Sequence, residues 1–281
     1  MGDASSGDPG VASEAVAAND APDARVATPV RAGATAGDAA HVDPAAAMDP
    51  FGRALTAFFA GDATATLIMR REDGLEAPLP AALFFRGEDA LSELERLALD
   101  RCHGRVLDVG AGAGEHSLVL QARGVPVTAL DVSPAAVEIM RRRGVRDPVC
   151  ADIFHWSAGA FDTLLVLGHG IGMVGDLAGL DRFLPHARGL LAAGGQILLD
   201  STDVTRTDNP RHLAYHQAIG REGRYPGEVR VQFEHGGTSG PFCGWLHVSA
   251  ATLAQAAGRA GLACEVLLQH DDGEYLARLS R

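Results

Sequence analysis

Cysteine is scarce in this chain. Its four residues, Cys102, Cys150, Cys243 and Cys264, lie far apart with no C-x-x-C pair, which disfavours a zinc cluster or disulfide framework and suits reduced thiols. Excess basic charge is also lacking: the formal net charge is −12, which argues against a broad basic face for a nucleic-acid backbone. No apolar run approaches the length of a membrane span. The first residues lack the basic-then-apolar pattern of a secretory leader, so a cytoplasmic location without membrane attachment is the expectation. Aromatic residues make up only 5% of the chain, and none falls within residues 1–47. That Ala/Asp-rich segment has too little apolar surface to offset its ordering entropy, and a disordered tail over 1–47 is expected.

What the chain does have is 281 residues, 47% of them hydrophobic, ample for a buried core. A globular part is expected over 48–281. Apolar residues at helical spacing in FGRALTAFFAG and GEDALSELERLALDRC predict a helical cap over 48–104. From Arg105 to Asp203 short apolar runs alternate with amphipathic segments: RVLDV, VPVTALD, VRDPVCADIF, FDTLLVLG and QILLDS as strands, with helices between them. The pattern predicts an α/β fold with a mostly parallel sheet covered on both faces. Ser133–Pro134 opens one of these helices and RRRG closes it. Residues 204–247 read as an irregular segment and an inserted β-hairpin, EVRVQFEH with PFCGWLHVS. Residues 248–281 give a helix and a closing antiparallel pair, ACEVLLQ with EYLARLS.

RVLDVGAGAGEHS places Gly110, Gly112 and Gly114 at the strand-to-helix turn, where ligands of a parallel sheet bind. A dinucleotide loop has its third glycine one position later, where this chain has Glu115, and no G-K-[ST] follows for a phosphate loop. The spacing suits a phosphate-free cationic ligand. Asp131 ends the second strand, where an acid takes ribose hydroxyls, and Asp152 follows the third.

Together RVLDVGAGAG, VTALDVSPAAVEIM, CADIF, FDTLLVLGHGIG and LLAAGGQILLD, over roughly residues 84–203, resemble the successive motifs of class I S-adenosylmethionine (SAM)-dependent methyltransferases. The resemblance implies a Rossmann-like seven-stranded sheet with an antiparallel last strand, and SAM as cofactor. By position it implies Asp108, Gly110, Gly112 and Gly114 around the methionine part, Asp131 and Val132 at ribose and adenine, and Asp152 and Ile153 at the adenine edge. It sets Gly168 and His169 before the transferred methyl group, and Arg86 as a partner of the methionine carboxylate.

Methyl transfer from a sulfonium needs a nucleophile held in line, a dry site and, where necessary, a base; no metal is required in principle. His169 is the candidate base, the alternative being a histidine that merely lines a glycine-rich turn. His212 and His216, four apart, invite a metal reading, but HLAYH lacks the glutamate of a zinc-protease helix, and no metal is expected. Tyr215, Tyr225 and Trp245 are candidate pocket residues, with plain packing preferred for Trp245; Asp200 and Asp203 flank the fifth strand's end. The expected partner is a small-molecule methyl acceptor, with nucleic acid disfavoured. Two alternatives stand beside it: a methyltransferase acting on tRNA or protein, or a protein of this fold that binds SAM without methyl transfer.

Overall fold

The computed structural model describes residues 42–281. Most of the expected tail lies outside these residues. Its last part does not: α1 (Pro44–Ala47) is capped by the Asp43 carboxylate, and Ala47 is 2% exposed. The folded part thus begins before the expected residue 48, because Ala47 gains a buried site that composition cannot reveal. α2 (Asp49–Phe59) follows.

Next comes a hairpin of β1 (Thr66–Arg71) and β2 (Glu76–Pro80), which corrects the all-helical reading of 48–104. These residues are extended because their partner is remote: β1 pairs antiparallel with β8 (Glu228–His235), over 150 residues downstream, as in Met69 opposite Phe233. α3 (Glu93–Arg101) is shorter than the helical pattern from Gly87. It starts at a capping box in which Ser92 and Glu95 exchange hydrogen bonds, so the residues before Ser92 remain outside.

The alternation then runs as expected: β3 (Val106–Val109), α4 (Glu115–Ala122), β4 (Val127–Asp131), α5 (Pro134–Arg143), β5 (Pro148–Cys150), β6 (Phe161–Val166), α6 (Leu177–Leu190) and β7 (Leu191–Thr202). The polar segment that resists assignment in sequence contains α7 (Pro210–Arg221), capped by Asn209. β8 (Glu228–His235), β9 (Thr238–Ser239) and β10 (Cys243–Leu246) form the inserted hairpin; α8 (Ala250–Arg259), β11 (Ala263–Gln269) and β12 (Glu274–Ser280) close the fold.

The main sheet has seven strands in the order β11-β12-β7-β6-β3-β4-β5. β7, β6, β3, β4 and β5 are parallel, and β12 runs antiparallel to both its neighbours, β7 and β11, so that β11 has the direction of the parallel set. The chain enters at β3, builds outward through β4 and β5, then returns to the other side with β6 and β7. The order reverses at β3, which opens a crevice past the carboxyl ends of β3, β4 and β6. A second, antiparallel sheet, β10-β8-β1-β2 with β9 beside β8, packs with α2 and α7 around Leu55, Leu67, Tyr215, Val231 and Phe233. It stands over that crevice.

Candidate active site

A cavity of about 300 Å³ lies between the strand ends and the second sheet. One wall is the loop after β3. Gly110 adopts φ +73°, and a Cβ built there would meet nothing within 4 Å. The backbone therefore faces open cavity, in a conformation that glycine adopts freely. Asp131, at the end of β4, holds the loop in shape: its carboxylate accepts the Gly112 N–H and the Ser133 N–H, both at 2.8 Å. Burial raises this carboxyl to about 6, against the opposing pull of those N–H groups. Val132, Asp152 and Ile153 continue the wall, and Asp152 accepts the Phe154 N–H at 2.9 Å.

Of the residues the sequence marks, Gly110, Gly112, Asp131, Val132, Asp152, Ile153, Gly168, Arg86 and His169 all line the cavity. Asp108 and Gly114 do not line it, which corrects their expected position. Asp108 is 2% exposed and accepts the Ser117 hydroxyl at 2.6 Å, so the carboxylate ties β3 to α4. Gly114 caps α4 at φ +80°, and a Cβ there would lie 2.7 Å from Val145; its role is close packing.

Arg86 faces the cavity already engaged. It donates to Leu83 O at 2.9 Å and to Glu95 at 2.7 Å, and its Nε lies 3.1 Å from Glu115 Oε1. That last contact lacks hydrogen-bond alignment, and buried Glu115 Oε1 has no hydrogen-bond partner among the described residues. Burial raises the Glu115 carboxyl to about 7 although Arg86 and His116 oppose the shift. Glu95 goes the other way: burial is outweighed by His116 and Arg86, and the carboxyl sits at about 2.

At the other end His169, 4% exposed, takes a left-handed backbone, φ +55°, in the turn after β6. Only a few per cent of non-glycine residues do so. The Asp200 carboxylate at β7 accepts its N–H at 3.0 Å and secures that turn. Burial lowers the His169 pKa, against nearby Glu274, so the imidazole is neutral at neutral pH. Its Nε2 lies 3.7 Å from Glu274 Oε1, and its Nδ1 has no hydrogen-bond partner among the described residues. Burial raises both Asp200, to about 7, and Glu274. The second sheet completes this end with Leu67, Met69, Phe233 and Trp245.

The other marked residues separate. His212 sits 3.1 Å from Arg71 and does not line the cavity; Tyr215 donates to Glu72. Tyr225 accepts the Ser249 N–H, and Asp203 caps a turn at Thr205. Trp245, expected chiefly to pack, does both: it meets Phe233 edge-on at 5.8 Å and lines the cavity.

Sequence reasoning missed Glu274, His247 and the pocket role of Glu95. For Glu274 a signal existed: an antiparallel last strand begins at the edge where parallel strands end, and β12 starts with Glu274 opposite Thr202.

A family model described as a methyltransferase domain matches residues 84–266. Among solved structures, a SAM-dependent methyltransferase from Bacteroides fragilis in complex with S-adenosyl-L-homocysteine is 32% identical, covers 83% of this chain and 95% of that chain, and has a TM-score of 0.73. A DhpI–SAH complex is 24% identical over 66% of this chain and 80% of that chain, with a TM-score of 0.48. DesVI from Streptomyces venezuelae is 18% identical over 70% and 95%, with a TM-score of 0.49. A search of curated proteins finds no match.

Proposed function

The chain belongs to the methyltransferase-domain family, and on that premise we propose that it transfers a methyl group from SAM to a small-molecule acceptor. The observation that carries this is one cavity with two unlike ends. An open glycine loop with Asp131 and Asp152 forms one end; His169, Asp200 and an apolar antiparallel sheet form the other. The 32%-identical structure holds S-adenosyl-L-homocysteine, the demethylated form of the same compound.

The residues present fit that group. Gly110 and Gly168 offer positions where a Cβ would meet nothing within 4 Å, and buried Glu115 Oε1 lacks a hydrogen-bond partner, as an acceptor waiting for an ammonium would. Asp131 takes the ribose hydroxyls on the lone pairs its two N–H donors leave. Glu115 and Glu95 suit the α-ammonium of the methionine part, around which the resemblance set Asp108. When bound, SAM supplies a methyl group already activated by the sulfonium.

The protein's own work is to exclude water, align the acceptor and remove a proton. Neutral His169 takes that proton, and the Asp200 hydrogen bond to its backbone fixes its position. A cavity of about 300 Å³ roofed by the second sheet favours a small acceptor over a macromolecule. The test is isothermal titration with SAM and with NAD, followed by incubation with methyl-labelled SAM and a metabolite extract. Binding of SAM with label in small molecules is expected. Uptake of NAD instead, or label only in protein or RNA, overturns the reading.

A further inference from the structure

We propose that Glu274 is a positioning residue for His169: its carboxylate faces Nε2, keeps the ring proton on that nitrogen and leaves Nδ1 to take the acceptor's proton. The inference rests on the methyltransferase reading and deepens it, by naming the partner and the reacting atom of its base.

The closing hairpin builds the pair. His270 and Glu274 flank the turn between β11 and β12, and the His270 N–H donates to the Glu274 carbonyl at 2.8 Å. β12 runs antiparallel to β7 and opens with Glu274 opposite Thr202. The side chain therefore stands where the parallel strands end, and it lines the cavity together with His169. One carboxylate oxygen, Oε1, lies 3.7 Å from His169 Nε2; the other, Oε2, lies 3.6 Å from His270 Nδ1. An imidazole on either side gives the carboxylate its orientation.

The ring's surroundings decide where its proton sits. A neutral imidazole has one N–H and one lone pair. His169 Nδ1 is buried and has no hydrogen-bond partner among the described residues. A proton on Nδ1 would leave a buried N–H without an acceptor and turn the Nε2 lone pair toward a carboxylate. A proton on Nε2 removes both faults. The 3.7 Å separation is longer than a hydrogen bond, and contacts between catalytic groups tighten as substrate binds.

Two carboxylates divide the work at this histidine. Asp200 accepts its backbone N–H at 3.0 Å and secures the turn; Glu274 faces the ring. The other titratable group against the ring is His247, 5.9 Å away between centroids and held at about 3 by burial and by His169 itself. Burial lowers the His169 pKa, and Glu274, Asp272 and Glu95 oppose the shift. Glu274 in turn is raised by burial, Asp200 and Asp272 and lowered by His169 and His270.

The step balances. The acceptor's proton passes to Nδ1, and the proton on Nε2 stays in place. The acceptor's lone pair forms the bond to the methyl carbon as the S–C bond breaks, and sulfur leaves as a neutral thioether. The positive charge lost by the sulfonium appears on the imidazolium, which the Glu274 carboxylate stabilises.

The test is NMR of the histidine ring nitrogens in the full chain saturated with S-adenosylhomocysteine, with His169 assigned by comparison with His169→Asn. At about pH 8, Nε2 should give the signal of a protonated nitrogen and Nδ1 that of a bare one. Glu274→Gln offers an amide N–H to Nε2. It should shift the population toward the opposite tautomer and lower the His169 titration midpoint by about one pH unit, with S-adenosylhomocysteine affinity unchanged. A wild-type proton on Nδ1 overturns the inference, as does a variant that keeps the wild-type tautomer and midpoint. Failure of the wild type to bind S-adenosylhomocysteine would instead overturn the methyltransferase reading, and this inference with it.

Discussion

Replacing Asp200 by asparagine should make the ligand-free protein more stable at alkaline pH and leave it nearly unchanged at acid pH. Asp200 is 3% exposed, and burial raises its carboxyl from 3.8 to about 7, although the His169 N–H opposes the shift. In the unfolded chain the same group ionises near 3.9. Between those values the folded state binds the proton more tightly. Its stabilising contribution is therefore complete below about pH 4 and is lost as pH rises through about 7. At about 1.36 kcal/mol per unit, full ionisation removes on the order of 4 kcal/mol. Asparagine keeps an oxygen for the His169 N–H, carries a donor where the neutral acid has its hydroxyl, and never ionises.

Urea unfolding at about pH 5 and pH 8 is the assay. At the lower pH the variant should exceed wild type by only about 1.5 kcal/mol, the part already lost because the unfolded carboxyl is ionised by then. At the higher pH the variant should exceed wild type by up to roughly 4 kcal/mol. Glu115 and Asp131, raised to about 7 and about 6, titrate in the same window in both proteins and cancel in the comparison. Glu95, at about 2, loses its contribution only as pH falls below its unfolded value. A difference independent of pH, or a wild type more stable at pH 8, would refute the argument.

Asp131→Ala leaves the Gly112 and Ser133 amides without their acceptor and should weaken SAM binding by about 1–3 kcal/mol in calorimetry; unchanged affinity removes the assignment. His169→Asn keeps a side chain that tolerates the left-handed backbone. It should lower kcat about 100-fold or more with SAM affinity retained, and a loss of affinity without a loss of kcat would make the histidine purely structural. Gly172→Ala would drive a Cβ to 2.1 Å from the Trp245 indole. It should raise the acceptor KM and reduce stability by about 1–3 kcal/mol; an unchanged acceptor KM would detach Trp245 from the acceptor site.

Legibility followed the range of the interactions. RVLDVGAGAG announced both its turn and the open backbone that lines the cavity, because strand hydrophobicity and glycine spacing are local properties. Ser133–Pro134 and Gly144 bounded α5 for the same reason, the Ser133 hydroxyl accepting the Ala136 N–H and Gly144 closing at φ +93°. Asp108 misled: its sequence position matches a ligand residue, but whether a carboxylate faces a cavity or a neighbouring helix depends on the Ser117 hydroxyl 2.6 Å away.

The sequence by itself determined the wound sheet, its reversed end and the loop where the chain's backbone is exposed to the cavity, since each is written in periodicity and turn chemistry within a few residues. Only the tertiary structure decided the roof and which ionisable groups meet His169 at its end of the cavity. TLIMRR becomes a strand only on meeting EVRVQFEH. Glu274 reaches His169 only because β12 runs antiparallel beside β7. Such pairings join residues about 70 or more positions apart, where no local pattern can register which side chain will face which.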